Sequence, residues 1–422
     1  MQKRWFRLDT AALIFPAIVH RDWSNVFRLS ATLTEPVDPD VLQQAVDDLR
    51  PRFPSFYVRL RRGFFWYTLQ ECRGRVQIRP DYAYPLTFMG QRERSSCCLR
   101  VLYFRNRIAV EFFHSLSDGR GGSVYLLSLT ARYLELKNRI SVPAEPPVLS
   151  PADPPDAAEL EDSFFRYAAP AAASRREARA YRLKGTREHR GFRHLTTGIL
   201  PTQALLDLAH RYQVSVTALL AGVMIQSIIT LQNRSKPQKK QRPVKITLPV
   251  DLRRLFHSRT LRNFSLALNI GVDPRFGEYT LEELCKSVSH QLAAEATPQH
   301  MAGMIAANVE PQRMLLLRLA PVFVKNLVMR LIYGHTGESC GCINISNLGA
   351  MTLPDEMAPL VSRLEFIIGP QVSYPNNCSV LSYGGKTCIS MIRSIRESEL
   401  ERLFFSALVD LGIPVDIESN RR

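Results

Sequence analysis

Alternation of apolar and polar side chains marks the first elements of this chain. Across 25–34 the apolar residues Val26, Phe27, Leu29, Ala31 and Leu33 predict a strand. Asp38-Pro39 then opens a helix, because Asp caps and Pro suits the first helical turn; Val41, Leu42, Ala45, Val46 and Leu49 form its apolar face. Residues 56–60 and 63–70 read as paired strands around Arg61-Arg62, and 96–103 with 107–114 as a second hairpin turned at Arg105-Asn106. In 107–114 the two-residue period puts Ile108, Val110, Phe112 and His114 on one face. A helix is expected over 123–137, after Gly119-Arg120-Gly121-Gly122.

Six prolines between 141 and 158 (Pro143, Pro146, Pro147, Pro151, Pro154 and Pro155) predict an extended linker, followed by an Arg-rich, partly helical stretch over 163–193. The pattern then restarts: strand 195–200, helix 202–211, an apolar helix over 214–231, strands 244–250 and 265–272, helix 280–294 and strands 342–346 and 364–368. A hairpin of 379–383 and 386–393 turns at Gly384-Gly385, and helix 398–411 stops at Gly412 and Pro414. These elements predict an α+β chain with a first lobe over 1–140, a linker over 141–194 and a second lobe over 195–422. Ser215, Thr217, Gln226, Ser227 and Thr230 interrupt 214–231, which therefore reads as a buried helix rather than a membrane span. The run Met314 to Tyr333 carries Arg318, Lys325 and Arg330 and is broken at Pro321; it reads as a core helix pair, with a basic amphipathic membrane-facing surface as the alternative.

Charge narrows the class of partner. The 422 residues include 55 Lys and Arg against 39 Asp and Glu, a net charge of +16 that favours anionic partners. No nucleic-acid-binding motif is present, so no nucleic-acid partner is expected. The eight cysteines form no C-x-x-C pair, and Cys340-Gly341-Cys342 lacks a second zinc-type pair, so reduced thiols and no metal are expected. The N-terminus has no adequate signal-peptide core, which leaves the cytoplasm as the expected compartment. Neither a G-x-S-x-G elbow nor a phosphate-binding P-loop occurs, which disfavours serine hydrolases and nucleotide-binding enzymes.

The chemistry concentrates at His114-Ser115-Leu116-Ser117-Asp118-Gly119, at the tip of strand 107–114. His114 is the candidate general base, against the alternative of a satisfied strand-end histidine; Asp118 is read as holding the loop, with orientation of His114 as the alternative, and Gly119 as letting the loop turn. Arg253 and Arg254, at the end of strand 244–250, are the candidate ion-pair partners of Asp118. Gly119-Arg120-Gly121-Gly122 at a helix start is also a weak anion-site pattern.

This H-x-x-x-D-G spacing is similar to the motif of chloramphenicol acetyltransferase-like acyltransferases, which include condensation domains, wax ester synthases and alcohol acetyltransferases. Trp5-Phe6-Arg7-Leu8-Asp9, Asn25-Val26-Phe27-Arg28-Leu29, Arg52-Phe53-Pro54-Ser55-Phe56 and Gly63-Phe64-Phe65-Trp66-Tyr67 resemble the first lobe of bacterial alcohol acetyltransferase-like proteins. Leu248-Pro249-Val250-Asp251-Leu252-Arg253-Arg254, Arg262-Asn263-Phe264 and Ile345-Ser346-Asn347-Leu348-Gly349 resemble the second. Phe113 stands where many members carry a first His, and the plant-type D-F-G-W-G is absent. The resemblance implies two acetyltransferase-like lobes with a tunnel between them. It implies transfer of an acyl group, acetyl foremost, from acyl-coenzyme A to a small or hydrophobic alcohol, with His114 as base. An acyl carrier protein donor or an amine acceptor is the alternative, and a non-catalytic binding protein the third reading. Coenzyme A is then a co-substrate, with no permanently bound cofactor. Ser346 and Asn347 are oxyanion-donor candidates by the same likeness. Arg234, Lys236, Lys239, Lys240 and Arg242 are candidates for the coenzyme phosphates, against the alternative of a solvated loop. Two lobes in one chain complete a site without a partner, so a monomer is expected.

Overall fold

The computed structural model describes residues 4–20, 23, 25–174, 177–189, 191–334, 339–372 and 374–420. Asp38 caps the helix Pro39–Asp48 through bonds from the Asp40 and Val41 amides, as the Asp-Pro pair predicts. The hairpin of Leu99–Phe104 and Arg107–Phe113 turns at Arg105, whose φ is 52°. These two strands occupy a five-stranded sheet with Val26–Leu33, the short Arg79–Pro80 and Val361–Ile368. A three-stranded sheet of Trp5–Arg7, Tyr67–Glu71 and Val58–Arg62 accompanies it.

The second lobe is a seven-stranded sheet. Its order runs Ser265–Val272, Val244–Asp251, Ile343–Ala350, Asn376–Tyr383, Lys386–Arg393, His194–Pro201, Asp416–Ser419. Ile343–Ala350 runs parallel to both neighbours. Positive φ at Gly384 (56°) and Gly385 (75°) makes the tight turn that its last hairpin requires. Helix Val216–Ser235 is long and apolar enough to cross a bilayer, but it is mostly buried against Leu281–Glu295 and Glu399–Asp410. A Cβ on Gly222 would come within 2.5 Å of Cys285 Sγ, so glycine permits that close helix crossing.

The five- and three-stranded sheets share one apolar core, and the seven-stranded sheet anchors a second. The strand Val361–Ile368 departs from the expected lobe: it pairs antiparallel with Val26–Leu33, from Val361↔Leu33 to Ile368↔Phe27. Leu364 and Phe366 thereby join the first core, and one strand from the second half of the chain sits in the first-lobe sheet. The proline-rich stretch is irregular up to helix Ala157–Leu160, yet it is not free: Val142 and Val148 are buried in the first core, and the Leu149 amide donates to Ser128 Oγ at 2.9 Å. The Arg-rich stretch 163–193 is helical only at Phe164–Tyr167 among the described residues.

Candidate active site

His114 follows directly on the strand Arg107–Phe113, with its amide bonded to Asn25 O at 2.8 Å. Asn25 has φ of 54°, and its Nδ2 donates to Phe15 O at 3.1 Å, which ties the strand end to helix Ile14–Ile18. Phe15 stacks on the His114 ring with centroids 4.3 Å apart, and Phe27 meets it edge-on at 5.2 Å. Burial against these rings lowers the His114 pKa below the ordinary histidine value, against the opposing pull of Asp118 and Asn263. The residue itself remains half-buried, as does Gly119, while residues 115–118 between them are buried.

Asn263 fixes which ring nitrogen is basic. Its Nδ2 donates to His114 O at 3.0 Å and to Asp9 Oδ2 at 3.2 Å. With the amide nitrogen committed to two acceptors, Oδ1 is the atom that faces His114 Nδ1, at 3.0 Å. An amide oxygen only accepts, so Nδ1 carries the proton and Nε2 keeps its lone pair. Asp9 is fully buried, and burial raises its pKa to about 6 against the Arg262 charge and the bonds from Asn263 and Ala12.

Asp118 holds the loop by four bonds. Arg253 Nη1 and Nη2 donate to its two oxygens at 2.9 and 3.0 Å, the Phe264 amide donates at 2.8 Å, and the Gly121 amide at 3.1 Å. Asp118 is thus also the N-cap of helix Gly119–Asn138, which begins four residues earlier than the pattern suggests. Burial alone would raise its pKa, but the Arg253 charge and these bonds outweigh it and leave the carboxylate below its usual range. Arg253 is further held by Asp251 Oδ1 at 2.9 Å and Thr260 O at 2.7 Å. Arg254, the other candidate partner, is exposed and takes no part in the pair.

Gly119 is the first residue of the helix and has no positive φ, so the expected turn role gives way to another: the glycines serve close approach. A Cβ on Gly121 would lie 2.1 Å from Leu261 O and 2.2 Å from Ser117 Oγ, so only glycine lets the 261–264 segment seat on the helix start. Ser117 Oγ donates to that same Leu261 O at 2.6 Å. A Cβ on Gly119 would reach Leu348 Cδ2 at 2.8 Å. The end of strand Ile343–Ala350 is therefore pressed against the His114 loop, through an irregularity in which Gly349 adopts φ of 77°.

The remaining candidates divide. Ser346 pairs with Ser379 and shares its sheet face, opposite to the buried Ile343 and Ile345. Ser379 Oγ on that face donates to Phe366 O of the first-lobe sheet, so Ser346 lies on the side turned to the first lobe. Asn347 points the other way. Its Nδ2 donates to Thr217 Oγ1 at 3.1 Å and its Oδ1 accepts from the Gly349 amide at 2.8 Å, so its amide is spent on holding the bulge. Arg234, Lys236, Lys239, Lys240 and Arg242 follow the far end of helix Val216–Ser235, about 25 Å from Thr217 at ~1.5 Å per residue. They are largely solvated there: Arg234 meets Glu399 at 3.5 Å and Lys236 lies over the Tyr181 ring at 6.0 Å. The structure does not bring this run to His114. No group of His, Cys, Asp or Glu suited to a metal occurs among the described residues.

Asp9 and Asn263 were missed as functional residues. Each lies in a motif quoted for its likeness, Trp5-Phe6-Arg7-Leu8-Asp9 and Arg262-Asn263-Phe264, and that was their only signal.

No family model matches the chain, and no curated protein matches it. Solved structures do. TRI101 of Fusarium graminearum, complexed with coenzyme A and T-2 mycotoxin, superposes with a TM-score of 0.67 at 10% identity, covering 98% of this chain and 100% of that one. TRI3 trichothecene 15-O-acetyltransferase of Fusarium sporotrichioides gives 0.62 at 11% identity over 97% and 94% of the two chains. The wax ester synthase/diacylglycerol acyltransferase of Marinobacter aquaeolei VT8 gives 0.56 at 13% identity over 96% and 99%. Over essentially its whole length, the chain has the two-lobed chloramphenicol acetyltransferase-like fold.

Proposed function

We propose that the chain transfers an acyl group, acetyl foremost, from acyl-coenzyme A to the hydroxyl of a small or hydrophobic alcohol. The observation that carries this reading is His114: a half-buried imidazole between aromatic walls, with Nδ1 fixed by Asn263 and Nε2 left basic. Coenzyme A in TRI101 and acetyl transfer to oxygen in TRI3 support the same choice of substrates.

An alcohol ionises only near pH ~16, so its oxygen needs a base to attack a thioester at neutral pH. Nε2 removes the hydroxyl proton as the oxygen bonds to the thioester carbonyl. The tetrahedral intermediate then expels the coenzyme A sulfur, and the proton on Nε2 passes to that thiolate. The lowered pKa keeps His114 neutral at pH 7 and ready to accept. Ser346 is the donor proposed for the oxyanion, from its place on the face turned to the first lobe. Phe15 and Phe27 keep water from the imidazole, which protects the thioester from hydrolysis. The tunnel implied by the fold would admit donor and acceptor from opposite sides. The net charge of +16 suits the phosphates of coenzyme A.

Incubation with acetyl-coenzyme A and a panel of alcohols, read by mass spectrometry, tests the proposal. It requires an O-acyl product formed one-for-one with free coenzyme A. Acylation of amines alone, or transfer only from a carrier-bound thioester, would replace it with the condensation-type alternative.

A further inference from the structure

Helix Val322–Ile332 is inside out. In an ordinary surface helix the apolar stripe faces the core and charges face water. Here Lys325 is 6% exposed, whereas Phe323, Leu327 and Leu331 are 60%, 59% and 59% exposed. The inward face is bound by polar contacts. Lys325 Nζ donates to Phe65 O at 2.9 Å and Arg318 O at 3.1 Å and lies 3.4 Å from the Trp66 ring centroid, and Asn326 Nδ2 donates to Tyr67 Oη at 2.9 Å. The Val322 amide donates to Phe64 O at 2.8 Å, and Arg330 Nε reaches Ala17 O. This polar inner face holds the helix so that its apolar side chains must project outward. Met314, Leu315, Phe64 and Phe65 extend the exposed apolar surface on either side. This corrects the expected core helix pair: the segment packs on the first lobe by its polar side.

We infer that this ridge docks the protein onto a bilayer containing anionic lipid. The charge pattern selects the occupant. Between 311 and 334 the chain has three exposed cations (Arg313, Arg318 and Arg330), besides the buried Lys325, and no carboxylate, and 61–70 adds Arg61 and Arg62, again without a carboxylate. Such a surface complements anionic headgroups around an apolar centre. A second copy of the chain fits poorly, because a symmetric contact would bring two cationic surfaces together with no carboxylate in either 311–334 or 61–70 to pair them. The 11 residues of the helix are too few to span a membrane, so it lies in the interface plane. The ridge adjoins the site: Val322–Ile332 packs against helix Ile14–Ile18, and Phe15 of that helix stacks on His114. A bilayer seated there would bring lipophilic substrates within one short helix of the imidazole. The inference concerns docking and stands whether or not acyl transfer is the reaction.

Co-sedimentation of the full chain with phosphatidylcholine–phosphatidylglycerol vesicles, beside pure phosphatidylcholine vesicles, tests it. The expected result is binding to the mixed vesicles that weakens in salt and is reduced on phosphatidylcholine alone. The triple variant Phe323→Ser/Leu327→Ser/Leu331→Ser should raise the Kd at least about tenfold, and Arg313→Glu/Arg318→Glu should weaken binding by about fivefold per charge. These side chains are exposed, so the melting curves should match wild type. Failure of wild type to bind either vesicle, or equal binding by the triple variant, overturns the inference. A concentration-dependent dimer that the triple variant abolishes would also overturn it, making the ridge a self-association face.

Discussion

Asp118→Asn removes one charge and almost no volume from the loop that carries His114, so its effect isolates the ion pair. The wild-type carboxylate is 4% exposed and accepts four bonds, two of them from Arg253. An asparagine keeps one acceptor oxygen. Whichever way its amide turns, its NH2 faces one Arg253 nitrogen and one backbone amide, either Phe264 or Gly121. Two charge-assisted bonds are lost, each worth roughly 1.5–3 kcal/mol, and Arg253 keeps only Asp251 as an ionic partner. The expected loss is about 3–5 kcal/mol, which is also the range for breaking a buried pair by removing one partner. For a chain of 422 residues, at ~2.1 cal/mol/K of unfolding entropy per residue, that lowers Tm by roughly 3–6 °C. Differential scanning calorimetry at pH 7.5 measures it. The sign with pH follows from the depressed folded pKa. The stabilisation is present above the ordinary Asp value and disappears as pH falls through the lower folded value, so the wild-type advantage should shrink in acid. Arg253→Met should cost a similar amount, and the double variant less than the two losses combined. A variant melting within about 1 °C of wild type at pH 7.5 would refute the idea that this pair holds the loop.

Asn263→Ala should lower kcat by about 10–100-fold with little change in KM, because the imidazole loses the partner that sets its tautomer; steady-state kinetics at saturating acceptor decides it. The acid limb of the wild-type pH–rate profile should fall below the ordinary histidine value, since burial lowers the His114 pKa and only the neutral ring is a base. Asp9→Asn tests the buried carboxylate at about 6: a raised folded pKa means that its contribution to stability is present below the unfolded value and lost as pH rises through 6. The Tm of Asp9→Asn relative to wild type should therefore climb between about pH 4 and 6 and level off above, and a flat difference would contradict that pKa. Ser346→Ala should reduce kcat by about 10²-fold without shifting Tm, whereas Asn347→Ala should lower Tm through the lost Thr217 and Gly349 contacts; kinetics and melting curves on both variants separate the roles.

Local patterns in the chain specify local structure well. The alternation of Ile108, Val110, Phe112 and His114 set the strand and the place of the histidine at its tip, but not that the opposite face is buried too, where Glu111 pairs with Arg28 and Arg100. The Asp38-Pro39 cap and the Gly384-Gly385 turn were legible for the same reason: their chemistry is completed by near neighbours. Partners distant in sequence were not. The sequence pattern identifies 364–368 as a strand but says nothing of its neighbour, and the strand, Val361–Ile368, lies in the other lobe's sheet. Asn263 sits in a loop with no period, 149 residues from the ring that it orients. Helical periodicity in 322–332 marks an apolar and a polar face but not which one turns inward; Lys325 turns inward because Phe65 O, Arg318 O and the Trp66 ring await it there. For Arg253 and Arg254, adjacent in sequence, backbone direction decides that only the first meets Asp118.

The central claim is that His114 Nε2 moves the proton in an acyl transfer. Release of free thiol from acetyl-coenzyme A, with and without an alcohol acceptor, compares wild type with His114→Ala directly. The account predicts acceptor-dependent release that falls at least about 100-fold in the variant while its melting curve stays near that of wild type. Equal release from the two proteins would contradict it and take His114 out of the chemistry.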